Sequence, residues 1–461
     1  MPTNAKPQTQ NVRGIYFAPW EKSFDLIFTP FEVFIHRQTT SGLLLVATTI
    51  LALVLANSIF AAFYHDFTHI PVAVSAGKWT LEKTLYHWVN DALMAFFFFV
   101  VGLELKRELL VGELASLRKA ALPLIAAVGG MVVPALIYFF FNPDGAASKG
   151  WAIPMATDIA FAIGAMVLLG NRVPKALMAF LVALAIADDL AAVTVIALFY
   201  TDTIVVEALW VAAAITGILI IFNFSGVRWE IPYFLVAVLL WFAMLYSGVH
   251  PTLAGVIGAF TVPARPKYNP EYFSTKMKDL TAGFDSSYQA DQKITTNIAM
   301  LATVQTMENL LHRVMTPLQR LEHIWHLPVA YLVLPVFAFF NAGIPLALGM
   351  LTENGIHPVM LGIVTGLVAG KFIGITGGCW IALKLGIAQL PKDTSFSQLA
   401  GAALLAGIGF TMSIFIAQLS FEEESSLLLI AKTSILSASI ISGISGFIWL
   451  WAVDKRSKRK A

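Results

Sequence analysis

The chain has 461 residues, of which 58% are hydrophobic and only 13% are charged, and its formal net charge is +2. Soluble domains are about one quarter charged, so this composition excludes a soluble protein and indicates one that lies in a lipid bilayer. The small net charge gives no reason to expect a nucleic-acid partner, and the one cysteine, Cys379, excludes an intramolecular disulfide and a cysteine-rich metal site.

The first predicted elements are a polar N-terminal tail and a series of apolar segments. The N-terminus through Trp20 is polar and lacks the charged and then apolar layout of a cleavable signal peptide, so we predict that the first hydrophobic helix is an uncleaved anchor that follows an N-terminal tail at 1–38. A membrane-spanning helix needs about 20 mostly apolar residues. The chain is therefore predicted to be an all-α polytopic membrane protein with twelve transmembrane helices, spans 1 to 12, at 41–63, 85–105, 120–141, 151–169, 175–200, 205–223, 231–246, 248–262, 327–347, 358–384, 398–419 and 427–451.

Basic residues are gathered in alternate loops of this arrangement. They follow spans 2, 4, 6, 8 and 10 and fill the C-terminal tail, whereas the other loops are poorer in them. Cytoplasmic loops are enriched in lysine and arginine, so both termini are predicted to be cytoplasmic. The resulting organisation places spans 1–8 within 39–262, a cytoplasmic loop at 263–326, spans 9–12 within 327–451 and a basic cytoplasmic tail at 452–461.

Two connecting segments are predicted to be structured. In the first external loop, 64–84, apolar residues alternate on either side of Ala76-Gly77-Lys78, which predicts a β-hairpin. The cytoplasmic loop 263–326 is polar at first, but its later part has apolar residues at helical spacing from Ile294 to Leu321. This spacing predicts an amphipathic helix.

Four ionisable residues fall deep inside predicted spans: Asp158, Asp188, Asp189 and Lys371. Such residues are costly in a bilayer, and each is by default a candidate for function. Asp188 is thirteen residues from Lys175 at one end of span 5 and thirteen from Thr201, just beyond the other end, which at about 1.5 Å per residue places it roughly 20 Å from both ends. The three carboxylates and the amine therefore share nearly the same depth.

The chemistry of these residues indicates an exchange of cations for protons. Neighbouring residues on a helix point about 100° apart, so Asp188 and Asp189 face different surroundings. One of them could serve only as a local cap or partner, but a purely structural role would incur the insertion cost four times. Hard cations such as sodium prefer oxygen ligands, and burial raises the pKa of a carboxyl group towards neutral pH. Protons and a cation then compete for one site, and Lys371 is expected to pair with Asp188 until the cation enters.

Spans 4 and 11 are predicted to be discontinuous. Pro154 lies three residues before Thr157, and span 11 contains Gly401, Gly407 and Gly409. Both residue types favour interruption of a helix, which inside a membrane is tolerated where protein or water satisfies the backbone. Spans 3–5 and 10–12 fit as inverted repeats with spans 4 and 11 crossing at their breaks. Asp158 and Lys371 are placed to neutralise the half-helix ends. For Gly129, Gly130, Gly377 and Gly378 we favour close helix packing.

Several stretches together closely resemble the bacterial NhaA sodium/proton antiporters. They are 90–95 (NDALMA), 101–109 (VGLELKREL), 151–162 (WAIPMATDIAFA), 187–190 (ADDL), 247–256 (SGVHPTLAGV), 321–323 (LEH) and 407–417 (GIGFTMSIFIA). The resemblance covers the chain from about residue 39, and the inverted-repeat architecture described above is an established property of that family.

The resemblance implies a role for each matching residue. It implies that Asp188 and Asp189 bind the transported sodium, or lithium, and protons, with Thr157 and Asp158 nearby and Lys371 as charge partner of Asp188. It also implies a cytoplasmic pH-sensing cluster of Glu104, Arg107, Glu108, Glu322, His323 and His326. Electrogenic exchange in a bacterial inner membrane, a homodimer formed through the hairpin 65–82, roles in pH homeostasis and salt tolerance, and the absence of any cofactor or enzymatic activity are implied in the same way.

The sequence departs from the family pattern in three places and leaves the histidines open. The stretch 263–320 is longer than the expected linker, Ala187 is smaller than the expected residue before the aspartate pair, and the N-terminal tail is longer. Histidine titrates near neutral pH. His250, in a Ser-Gly-Val-His-Pro turn, therefore invites the same pH-sensing role as His323 and His326, although a structural role fits each histidine equally well.

Three other functions remain as alternatives. An intramembrane aspartyl protease would need two facing carboxylates, such as Asp158 and Asp188, but no Gly-x-Gly-Asp stretch is present and Lys371 would suppress a shared proton. A channel would need a filter-like element, and a sodium-coupled symporter would need polar groups for its solute. Neither pattern is found in the sequence.

Overall fold

The computed structural model describes residues 38–77, 79–201, 204–288, 294–345, 357–421 and 425–458. The described chain is mostly helical and contains a two-stranded sheet. In chain order the α-helices are α1 Gln38–Ala56, α2 Ala61–Thr68, α3 Leu85–Val111, α4 Leu117–Phe141, α5 Ile159–Leu168, α6 Lys175–Phe199, α7 Val206–Phe224, α8 Glu230–Ser247, α9 Thr252–Thr261, α10 Pro270–Ser286, α11 Ile298–Val314, α12 Pro317–Asn341, α13 Pro358–Lys384, α14 Phe396–Leu405, α15 Phe410–Phe421 and α16 Ser425–Lys458. Short 3₁₀ segments occupy Glu113–Ala115, Ala146–Met155 and Gly170–Arg172.

Every predicted span coincides with a helical segment, but the lengths differ from the prediction. Within the described residues, nine helices are long and apolar enough to cross a membrane, or eleven if each of two bent pairs counts as one span. The predicted span 248–262 corresponds to α9, whose ten residues fall short of that length. The coarse prediction of a polytopic helical membrane protein is therefore confirmed, whereas the count of twelve stays a prediction.

The prediction for span 1 is wrong in its second half. Helices α1 and α2 make an angle of 115° with each other, so the apolar run 41–63 does not form one straight helix. The bend lies at Asn57, whose side-chain amide donates to the carbonyl oxygen of Leu53 in the preceding turn, at 2.8 Å, and to that of Ile344, also at 2.8 Å. These bonds hold the chain in a turn that hydropathy does not reveal.

The predicted β-hairpin is present but shorter than 64–84. Strands β1 Pro71–Ala76 and β2 Trp79–Thr84 pair in antiparallel register, with Val74 opposite Leu81. Residues 64–68, which the prediction assigned to the hairpin loop, belong to α2 instead. The indole nitrogen of Trp88 donates to the carbonyl oxygen of Val72 at 3.1 Å, which fixes the hairpin to the beginning of α3.

The loop 263–326 contains more helix than the prediction. The helix expected from Ile294 to Leu321 is present as α11, in which Met300 and Leu310 are buried while Leu301 and Leu311 are exposed, but it ends at Val314 and Leu321 belongs to α12. The earlier part, predicted only to be polar, forms α10, and the Asn269 side chain caps it by accepting from the next turn. A capping box then begins α12 at Thr316, so this helix starts ten residues before the predicted span 9.

Both spans predicted to be discontinuous are interrupted. Span 4 consists of the 3₁₀ segment Ala146–Met155, an extended stretch at 156–158 and then α5. Span 11 consists of α14 and α15, which are bent by 47° at a break at 406–409. The two breaks lie against each other, since the amide of Asp158 donates to the carbonyl oxygen of Ile408 at 2.6 Å. Backbone groups freed by one interruption are thus satisfied by the other.

Small residues bring α4 and α13 into backbone contact. Close packing was predicted for Gly129, Gly130, Gly377 and Gly378, and it is found at the first two and at Gly378. A side chain at Gly374 would overlap the Gly129 backbone, one at Gly130 would overlap Ile375, and one at Gly378 would press on Ile125. The fourth, Gly377, has open space around its Cβ position, so its part of the packing prediction is wrong.

We expect Gly374→Val to lower the thermal midpoint of the purified protein in detergent, because overpacking costs about 1–3 kcal/mol. Gly377→Val, three residues along the same helix, controls for the change in helix propensity and should leave the midpoint nearly unchanged. Equal midpoints for the two variants would contradict the tight α4–α13 contact.

Candidate functional site

Asp158 lies where the two interrupted spans meet. Its side chain is 2% exposed, and its Oδ1 accepts from the amide of Phe161 at 3.1 Å, which caps α5. Its Oδ2 accepts from the amide of Thr411 at 3.0 Å and from the hydroxyl of Thr411 at 2.6 Å. Asp158 therefore faces the N-terminal ends of both α5 and α15, whose positive ends favour a carboxylate.

Asp188 forms a buried ion pair with Lys371. The Nζ of Lys371 lies 2.5 Å from Oδ2 of Asp188, and both side chains are fully inaccessible to solvent. Thr157 joins them: its hydroxyl donates to the same Oδ2 at 2.8 Å and accepts from Lys371 at 2.9 Å. The predicted pairing of Lys371 with Asp188 is thus what the structure shows, and it links spans 4, 5 and 10.

A π-helical turn directly precedes Lys371. Residues Gly366–Gly370 form this turn inside α13, and the Cβ position of Gly366 lies against the ring of Pro154 in the interrupted span 4. Inserted π turns often accompany functional sites because they redirect the side chains that follow them. This turn was not predicted from the sequence.

Asp189 follows Asp188 on α6 and differs from it in its contacts. It is 1% exposed, yet neither of its carboxylate oxygens has a hydrogen-bond partner among the described residues, and the same holds for Oδ1 of Asp188. A buried carboxylate without a partner is costly. The Asp189 carboxylate is close enough to those of Asp188 and Asp158 for their charges to act on it.

The three aspartates do not share one coordination sphere. In the part of the chain that the structure describes, no three His, Cys, Asp or Glu side chains converge as a metal site. A cation bound at Asp189 would therefore also need hydroxyl, backbone or water oxygens. The facing carboxylates of an aspartyl protease are missing too, because Thr411 binds Asp158 and Lys371 binds Asp188.

Most of the predicted pH-sensing residues come together at the far end of α3. Arg107 lies between Glu108 and Glu322, with an N–O distance of 2.9 Å to each, and His326 Nδ1 lies 3.0 Å from Glu104. These contacts connect α3 with the first turns of α12.

The other two predicted histidines are placed elsewhere. His323 is exposed and forms neither a hydrogen bond nor an ion pair with any described residue. His250 lies between α8 and α9, where its Nδ1 is 2.8 Å from the hydroxyl of Thr252 and its ring meets Phe415 edge-on. The structure therefore groups His326, but not His250 or His323, with the charged residues.

Sequence reasoning missed two contributors to this region. Thr411 falls in the stretch 407–417 that resembles the family but is not predicted as a site residue, although its hydroxyl and amide both bind Asp158. Lys432 was overlooked although it is a lysine inside the predicted span 427–451, which is the same signal that identified Lys371.

The fold and the site together define a class of protein. Interrupted membrane helices that meet at a buried ion pair, beside a carboxylate without a partner, are typical of secondary transporters driven by ion gradients. They are not typical of enzymes or of pores with a selectivity filter.

Comparison with known proteins identifies the family. Residues 32–450 match the model of the family described as Na+/H+ antiporter 1, and the chain belongs to this family. It is 52% identical to the Na(+)/H(+) antiporter NhaA 1 of Saccharophagus degradans over 95% of both chains. It is 47% identical to the NhaA antiporter of Sulfurimonas denitrificans over 95% of this chain and 99% of the relative. The resemblance inferred from the motifs is confirmed, as is the expectation that the chain is a transporter and not an enzyme.

Proposed function

We propose that this protein exchanges sodium or lithium ions for protons across a bacterial inner membrane. The observation that carries the proposal is Asp189, a buried carboxylate with both oxygens unpaired beside the Asp188–Lys371 ion pair. The names of its relatives, which are sodium/proton antiporters, agree with this chemistry.

The exchange follows from competition for the same oxygens. A cation that binds Asp189 and the unpaired oxygen of Asp188 displaces a proton from Asp189 and draws Asp188 away from Lys371. Lys371, left without its partner in an apolar environment, then releases a proton as well. When the cation leaves, both protons return. More than one proton therefore moves per monovalent cation, and transport is electrogenic.

Alternating access takes place at the two interruptions. Spans 4 and 11 cross there as the middle members of two inverted repeats in a protein with twelve spans. Asp158 compensates the positive half-helix ends, and the amine of Lys371 compensates the negative ones. Broken helices of this kind can tilt on either side of a fixed site at small energetic cost, because their backbone bonds at the break are made to each other.

The proposal is tested in everted membrane vesicles from cells without their own antiporters. A pH gradient, acid inside, is imposed and sodium is added across a pH series. Wild type is expected to dissipate the gradient on addition of sodium, whereas Asp189→Asn, which keeps the side-chain volume but removes the ionisable group, should not. Wild-type vesicles that show no sodium-dependent proton movement at any pH would overturn the proposal.

The charged residues between α3 and α12 are proposed to regulate exchange by pH. These helices are held together by ion pairs such as the one between His326 Nδ1 and Glu104 Oε1, whose atoms are 3.0 Å apart. Protonation of His326 or of the carboxylates would change these ion pairs. We expect His326→Ala to shift the pH of half-maximal exchange by about half a unit or more. His323→Ala is the matched control and should not shift it. Equal effects of the two substitutions would exclude His326 from the sensor.

The orientation and assembly are also proposals. The alternation of basic loops places both termini in the cytoplasm, with β1 and β2 on the external side. A two-stranded sheet leaves both of its outer edges open for pairing with another strand. We therefore propose that two copies associate through the hairpin.

A further inference from the structure

A chain of polar side chains, three of them buried and two half-buried, lies between four helices on the hairpin side of the aspartates. The amide of Asn341 donates to Oδ1 of Asn90 at 2.8 Å, and Gln418 donates both to Oδ1 of Asn341 and, at 2.5 Å, to the hydroxyl of Tyr86. The Nζ of Lys432 lies 3.4 Å from that hydroxyl and 5.5 Å from the ring centroid. These five residues, the polar rung, come from α3, α12, α15 and α16.

The polar rung is stacked directly over the ion site. Thr411, Phe415 and Gln418 are spaced i, i+4 and i+7 and so share one face of α15. Thr411 binds Asp158 at one end of this face. Gln418 lies about 10 Å further along the axis. The hairpin is fixed beside the rung, because Trp88, on the same short stretch of α3 as Tyr86 and Asn90, binds β1.

An aromatic layer separates the rung from the aspartates. The ring of Phe415 lies 5.8 Å from that of Phe98 and 6.3 Å from that of Phe337, and all three side chains are at most 1% exposed. Phe337 and Asn341 are four residues apart on one face of α12. Helices α12 and α15 therefore meet through two successive contacts, Phe337 with Phe415 and Asn341 with Gln418.

The polar composition of the rung is better suited to a contact that opens and closes than to permanent helix packing. Apolar side chains of the same shape would join these helices without burying amides, and Oε1 of Gln418 is buried without a partner among the described residues. Neutral hydrogen bonds are weak enough to exchange for water. Once separated, they expose amide oxygens, which are suitable ligands for a hard cation. The amine of Lys432 adds a positive charge that opposes cation entry while the rung is closed.

We propose that the polar rung is the gate that closes the ion site towards the hairpin, and that it opens when Gln418 separates from Asn341. The proposal rests on the proposed function, since only a transporter with alternating access needs such a gate. It assigns to Lys432, Gln418 and Tyr86 a part in the transport cycle that the buried aspartates do not perform.

The experiment locks the gate with a disulfide. Asn341→Cys and Gln418→Cys are combined in a Cys379→Ser background, and sodium/proton exchange is measured before oxidation, after oxidation and after reduction. Alkylation followed by mass measurement reports the disulfide, and a short bismaleimide replaces it if oxidation does not join the two thiols. We expect the locked protein to exchange at least about tenfold more slowly, with recovery after reduction of the disulfide. Each single-cysteine variant is the control for the oxidant.

A locked protein that exchanges as fast as its reduced form would overturn the gate but leave the antiporter function intact, since exchange is then observed. Wild type without exchange would instead overturn the function itself.

A second variant decides the matter if the double variant is inactive before locking. Gln418→Met keeps the length of the side chain and removes its hydrogen bonds. A loosened gate favours the form open to the hairpin, so the half-saturating sodium concentration should fall by about threefold from that face and rise by a similar factor from the other. Right-side-out and everted vesicles measure the two faces. Shifts in the same direction, or none, would show that the rung only holds the helices together.

Discussion

Lys371→Met is expected to lower the free energy of unfolding by about 3–5 kcal/mol, because it leaves the carboxylate of Asp188 buried without its countercharge. The effect is large since neither side chain of the pair has any access to solvent. The hydroxyl of Thr157 remains as a hydrogen-bond donor to Asp188, but a hydroxyl does not replace an ammonium group. Denaturation of the purified protein in detergent, followed by its helical signal, measures the change.

The double variant Lys371→Met/Asp188→Asn distinguishes this explanation from a simple loss of packing. Removing both charges should restore most of the lost stability, as a buried ion pair and a neutral pair of similar volume differ little. Strong non-additivity between the two substitutions is therefore expected. Additive losses would mean that Lys371 stabilises the protein through contacts of its alkyl chain and not through Asp188.

The parts of the fold that could be predicted depend on residues close together in the sequence. Pro154, Gly407 and Gly409 predicted the two interruptions, because proline removes a backbone donor and glycine permits the helix to unwind. The Asp188–Lys371 pair could be expected because charges at equal depth in a membrane need each other. The hairpin followed from the alternation of apolar residues around one glycine.

The parts that could not be predicted depend on contacts between distant segments. The bend between α1 and α2 lies inside an uninterrupted apolar run and is held by Asn57 through a carbonyl oxygen 287 residues away. The polar rung consists of five residues spread over four spans, and apart from Lys432, a lysine inside a predicted span, none of them is unusual by itself. Helix α10 was missed for a different reason, since hydropathy does not mark a polar helix outside the membrane.

Asp158 and Asp189, both predicted as cation and proton ligands, are expected to behave in opposite ways when changed to asparagine. Both oxygens of Asp158 are already occupied, by the amide of Phe161 on one side and by the amide and hydroxyl of Thr411 on the other. Asparagine would keep one acceptor oxygen, but its NH2 group would face either the amide of Phe161 or the donors of Thr411. Hydrogen bonds to a charged group contribute about 1.5–3 kcal/mol each. Asp158→Asn should therefore destabilise the junction of spans 4 and 11 by about 3 kcal/mol.

Asp189→Asn is expected to show the reverse pattern, because the Asp189 oxygens hold no other protein group in place and the proposed cycle leaves this carboxyl group protonated, and so already neutral, when no cation is bound. Its stability should be unchanged or higher, while exchange is lost. Thr411→Val serves as a matched variant that removes one bond to Asp158 without changing any charge, and it should reproduce part of the Asp158→Asn destabilisation. Both properties are measured on the same preparations, as the unfolding transition in detergent and exchange in vesicles. If Asp158→Asn instead lost exchange at an unchanged stability, Asp158 would belong with Asp189 among the groups that bind the transported ion.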